Sequence, residues 1–69
     1  MSEKVEGFRE FVFEKENRRL LQQAGFAYSV IYSWAKTDRL PSERNAKRIA
    51  SVFGIPLSEI PYYRTERVV

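Results

Sequence analysis

The chain predicts an all-α domain, a compact bundle of four to five helices. Three observations carry that reading. Apolar residues recur at three- and four-residue steps in separate segments, and residues such as Asn17, Gly25, Ser42 and Gly54 punctuate the gaps between them. The segment from about Ala27 to Lys36, whose β-branched and aromatic content could suggest a strand, fails to alternate because Val30 and Ile31 are adjacent apolars. With 69 residues the chain can hold one small domain, and a domain of that size buries only about 60% of the surface its unfolded chain exposes. There is no Cys to make a disulfide or a thiolate metal site, so packing or self-association must supply the stability.

Each element has its own signal. Val5, Phe8, Phe11 and Val12 share one helical stripe, with Phe13 beside it, and predict a first helix from about Val5 to Lys15. Asn17 can accept the free amides of the next turn and is expected to cap a second helix, whose inner face is Leu20, Leu21 and Ala24. Gly25 ends that helix, since glycine enters the left-handed conformation at little cost. Phe26 plugs the corner, and a third helix runs from about Ala27 to Lys36 with Ile31, Trp34 and Ala35 inward. Thr37 to Pro41 is a loop. Ser42 is the expected cap of a fourth helix, in which Ala46, Ile49, Ala50 and Phe53 fall on one face before Gly54 stops it. Leu57 to Ile60 can add one turn between Pro56 and Pro61. Residues 1–61 read as one domain without internal repeats, and 62–69, which show no clear period, as a short tail.

Composition narrows the function. Neither His nor Cys is present, which removes the commonest general base, nucleophile and zinc ligands and argues against an enzyme. No convergent acid–base pair is suggested by the spacing of Glu14 with Glu16 or of any Ser with Lys. No run approaches the ~18 apolar residues of a membrane span, and Met1-Ser2-Glu3-Lys4 does not lead into an apolar segment, so a location inside the cell, away from membranes, is expected. The net charge of +3 is mild, but its distribution is not even. Residues 1–16 carry five acids against three bases, whereas 17–48 carry seven bases against two acids. A sign split of this kind favours a polyanionic partner over simple solvation of helix faces.

The excess of bases coincides with a motif. From Leu20 to Trp34 two short helices meet at the Gly25 corner with apolar anchors spaced for mutual burial, the pattern of a DNA-binding helix-turn-helix. Once Ile31 and Trp34 point inward, Tyr28, Ser29, Tyr32, Ser33 and Lys36 form the outward strip of the second helix and are the candidate base contacts. The strip holds no Arg, Asn or Gln for two-pronged base contacts. Specificity is therefore expected from hydroxyl hydrogen bonds and from tyrosine rings against thymine methyls, with modest discrimination per half-site. Asn17, Arg18 and Arg19 lie at the amino end of the first motif helix and Arg39 and Arg44 flank the other side; these are the candidate contacts to the sugar-phosphate backbone.

The agreement extends beyond the motif. Ile31-Tyr32-Ser33-Trp34, then Pro41 after a basic loop, then Arg48 through Ile60 (Arg-Ile-Ala-Ser-Val-Phe-Gly-Ile-Pro-Leu-Ser-Glu-Ile), resembles the Cro/repressor (Xre-type) family of phage and bacterial DNA-binding domains over roughly residues 8–60. That resemblance implies a lambda-repressor-like bundle whose third helix enters the major groove. It also implies pairs of domains on palindromic operators, and a role as a cytoplasmic transcriptional regulator, most simply a repressor. Departures from the family pattern include Leu21 where a small residue is usual, Ala24 where a larger apolar one is usual, Ala27 in place of a hydroxyl cap, and Glu14-Lys15-Glu16-Asn17 before the motif.

Phe53, Ile55, Tyr62 and Tyr63 make a carboxyl-terminal apolar cluster that a chain this small need not cover, and they are the candidate dimer interface, with ordinary core packing as the competing explanation. No cofactor, metal or small-molecule ligand is expected. The alternatives are an excisionase-like or architectural DNA-binding protein, an antitoxin that represses its own operon, or a helical module that binds another protein through its Tyr and Phe residues.

Overall fold

The structure, a computed structural model, describes residues 3–63. Four α-helices follow one another, α1 (Glu3–Phe13), α2 (Lys15–Gln23), α3 (Tyr28–Lys36) and α4 (Glu43–Phe53), and a single 3-10 turn spans Leu57–Glu59. Among the described residues there is no strand, and the fold is all-α. Each helix delivers a few side chains to one core: Phe8 and Val12 from α1, Leu21 from α2, Ile31 and Trp34 from α3, Ala46, Ile49 and Ala50 from α4, closed by Phe26 and Ile60. The α1–α3 pair is the most extensive contact, α2 bridges to α4, and the 3-10 turn lies on α4.

The first two helices differ from expectation where they meet. α1 stops at Phe13 rather than near Lys15, and α2 starts at Lys15 with extended Glu14 as its only link. Asn17 therefore is not the cap of α2 but sits in its first turn. Its side-chain amide donates 2.9 Å to the Phe11 carbonyl and 3.3 Å to the Glu14 carboxylate. The reason is that a one-residue junction sets the orphan carbonyls at the end of α1 beside the start of α2, so the position needs a donor more than an acceptor. Leu20 is the other departure. It is 41% exposed while Leu21 is wholly buried, because neighbouring residues on a helix project in different directions and only one can reach the core.

The ends of α2 and α4 follow their glycines. The Gly25 N–H donates to the Gln22 carbonyl and the Phe26 N–H to the Leu21 carbonyl, with Gly25 at φ +108°. This is a Schellman ending, and its accompanying apolar contact comes from Leu21 and Phe26, both in the core. At Gly54, φ is +65°, and the Ile55 N–H reaches back to the Ala50 carbonyl. Ser42 caps α4 by accepting from the Asn45 N–H at 3.2 Å, whereas Ala27, extended before α3, provides no side-chain acceptor.

Three arginines add donors at helix carboxyl ends. Arg9 of α1 donates to the Trp34 carbonyl near the end of α3 (3.2 Å), Arg18 of α2 to the Phe13 carbonyl that ends α1 (2.9 Å), and Arg48 of α4 to the Ala24 carbonyl after α2 (2.9 Å). A cation at a helix carboxyl end also meets the negative pole of the helix dipole. Every one of these pins crosses from one helix to another.

Two residues of the expected tail belong to the packed body. Tyr62 packs against the core, and the Tyr63 N–H donates to the Pro41 carbonyl at 3.1 Å, making an isolated parallel bridge with Ser42. The rest of that tail, 64–69, lies outside the described residues. No helix among the described residues is long and apolar enough to cross a membrane.

Candidate nucleic-acid interface

Two residues, Phe26 and Ala27, separate the turn at Gly25 from α3. Ile31 is wholly buried and Trp34 is 3% exposed, with the Trp34 ring edge-on to Phe26 at 5.2 Å between centroids. With that side committed to the core, Tyr28 (48% exposed), Tyr32 (46%), Ser29 and Lys36 lie on the outside. Val30 is exposed on the flank, and Ser33 is half-buried, its hydroxyl donating 2.6 Å to the Val30 carbonyl. Ser33 is thus the member of the strip with its donor already used inside the helix.

The two tyrosines are not isolated on the surface. Phe13, the last residue of α1, packs edge-on to Tyr32 with 5.9 Å between ring centroids and tilted against Tyr28 at 6.1 Å, while the tyrosines lie 6.2 Å from each other. Cations complete the cluster. The Arg18 guanidinium stands 4.8 Å from the Phe13 ring centre and 5.9 Å from that of Tyr28, and Lys36 Nζ is 4.9 Å from Phe13. Such ring pairs contribute about 0.5–1.5 kcal/mol, and exposed cation–ring contacts about 0.5–1 kcal/mol. These contacts gather both half-exposed tyrosines, Arg18 and Lys36 around one ring on the outward side of α3.

The candidate backbone contacts divide into two groups. Asn17 and Arg18 are half-buried and engaged at the α1–α2 junction, as described above. Arg19, Arg39 and Arg44 are exposed. Arg19 meets Glu16 at 3.6 Å on an open surface, a pairing worth no more than about 1 kcal/mol and easily exchanged for another anion. Arg39 follows α3 in a loop held by the Thr37 hydroxyl, which accepts from the Arg39 N–H at 3.2 Å. Arg44 lies in the first turn of α4. Lys47, its neighbour on α4, faces Glu43 at 3.9 Å.

Of the candidate dimer residues, Phe53 is half-buried and edge-on to Phe11 at 4.8 Å, and Ile55 and Tyr62 are half-buried against the core. Tyr63 is the exposed one, at 50%. Beside them an apolar groove of about 540 Å³ opens between α1 and the 3-10 turn, lined by Phe8, Phe11, Ile49, Ile55 and Ile60. Core packing accounts for most of this cluster.

Phe13 is the residue that the sequence pattern did not single out. Its only signal was a place one step off the α1 stripe, which says nothing about a partner on α3. Arg9 and Arg48 were equally hidden, since each acts across 24 or 25 residues of chain. Comparison with protein-family models, with curated proteins and with solved structures finds no match to this chain.

Proposed function

We propose that this chain is a sequence-specific DNA-binding regulator of transcription, a Cro-like repressor that binds palindromic operator DNA as a dimer with α3 in the major groove. The observation that supports it is the division of α3 into a buried side, Ile31 and Trp34, and an outward strip of Tyr28, Ser29, Tyr32 and Lys36 behind a tight glycine turn from α2. A groove-filling helix needs one side held rigidly in the core and the other exposed to the duplex. Exposed Arg19, Arg39 and Arg44 supply cations for phosphates, three per subunit and about six per dimer. Tyrosine rings suit the methyl group of thymine and hydroxyls suit single hydrogen bonds, so the expected operators contain A·T pairs under Tyr28 and Tyr32.

Selection of bound sequences from a random duplex pool tests this directly. The outcome expected is a two-fold symmetric consensus. About six phosphate contacts should weaken affinity roughly a thousandfold between 50 and 200 mM salt. In the same assay Tyr32→Ala should relax the base preference at one position in each half-site, and Arg19→Ala should weaken all sequences about equally. Affinity that does not respond to salt, or a ladder of unselected sites, would count against a specific operator binder; the first points to a protein partner and the second to an architectural role.

A further inference from the structure

Phe13 lies on a different helix from the strip that would face DNA, yet it touches most of that strip. Its half-buried ring meets Tyr28, Tyr32, the Arg18 guanidinium and Lys36 Nζ, all within 6.1 Å of its centre. Elsewhere Tyr28 and Tyr32 are open, each close to half exposed. An open tyrosine or lysine samples several staggered conformers, and a side chain that must be immobilised on binding loses affinity for the site that immobilises it. The face of the Phe13 ring is electronegative and its rim positive, so it can hold two cations over its face while meeting the Tyr32 ring edge-on. An aliphatic residue of similar bulk would fill the space without those directional contacts.

We infer that Phe13 is a positioning residue for base recognition: its ring holds Tyr28, Tyr32 and Lys36 in the conformations that α3 presents to the duplex. Sequence preference then depends on a residue at the end of α1. The inference rests on the DNA-binding reading above. It predicts that the protein discriminates with side chains ordered before DNA arrives, and that the α1–α2 junction is part of the specificity apparatus through Arg18, which is tied to the same ring and to the Phe13 carbonyl.

The test compares wild type, Phe13→Leu and Phe13→Tyr on the selected operator duplex and on a scrambled duplex, with Trp34 fluorescence and helical circular dichroism reporting an intact fold. Phe13→Leu should lower the ratio of specific to scrambled affinity about three- to tenfold, the scale of one or two lost ring contacts, while leaving affinity for the scrambled duplex unchanged. Phe13→Tyr should retain the wild-type ratio. A second measurement needs no variant: nuclear Overhauser contacts between Phe13 and the Tyr28 and Tyr32 rings should be present in the free protein and persist on the operator. An unchanged ratio in folded Phe13→Leu, an equal loss on both duplexes, or disappearance of the Phe13–tyrosine contacts on binding overturns the role of Phe13 and leaves operator binding standing. Failure of wild type to select any sequence overturns both.

Discussion

Arginine does two different jobs in this protein. Arg9, Arg18 and Arg48 each donate to a carbonyl at the end of another helix, and Arg48 also lies over the Phe26 ring, with its guanidinium carbon 4.3 Å from the centroid. Among the described residues, the exposed bases Arg19, Arg39 and Arg44 make no comparable contact. Arg48→Met keeps much of the aliphatic stem but removes the donor, so it should cost about 1 kcal/mol and lower the melting temperature by roughly 4–8 °C, as read by thermal unfolding. Gly25→Ala should cost more than Arg48→Met. At φ +108° an L side chain is strained, and a Cβ there would come within 3.3 Å of Arg48 Nη2. A Gly25→Ala protein as stable as wild type would remove the turn's dependence on glycine.

The helices are unequally finished at their amino ends. α4 has a hydroxyl cap from Ser42, and α3 has none, since Ala27 holds the cap backbone, φ −70° and ψ 149°, without an acceptor. Ala27→Ser should therefore stabilise the protein by about 0.5–1.5 kcal/mol, detectable as a higher melting temperature, and Ser42→Ala should destabilise it by a similar amount. Because the backbone is already in the cap conformation, neither change has to move a helix. The α1–α2 junction is tighter than a cap-and-turn pattern suggests. One extended residue, Glu14, suffices because the Asn17 amide and the Arg18 guanidinium satisfy the carbonyls of Phe11 and Phe13, and so the junction fixes where Phe13 stands relative to α3.

Among the described residues, a core of ten buried apolar side chains serves all four helices, and small domains with a single shared core unfold as one unit. Trp34 fluorescence and helical circular dichroism should lose their native signals at the same denaturant concentration. Ile31→Ala, at a wholly buried position on α3, should cost about 2–5 kcal/mol, a large share of the stability of a chain this small. The strip on α3 would then be lost with the fold and not by local change. Separated transitions would show instead that the helices do not unfold as one cooperative unit.

The helices that could be placed from residue pattern alone were those whose signals are local. A serine cap with Gly54 bounds α4, Gly25 bounds α2, and the spacing of Ile31 and Trp34 orients α3; each depends on residues a few positions apart, and periodicity reports such relations. The same spacing nominated Tyr28 and Tyr32 as outward residues, which is where they stand. What folding in three dimensions added was contact between distant segments: Asn17 acting as donor to Phe11, Leu20 turned to solvent, Tyr62 and Tyr63 joined to the body, three arginines spanning helix ends, and Phe13 under the α3 strip. None of these has a period along the chain. They arise because packing one helix against another brings unsatisfied carbonyls and open rings within reach of whichever polar or aromatic side chain is nearest in space.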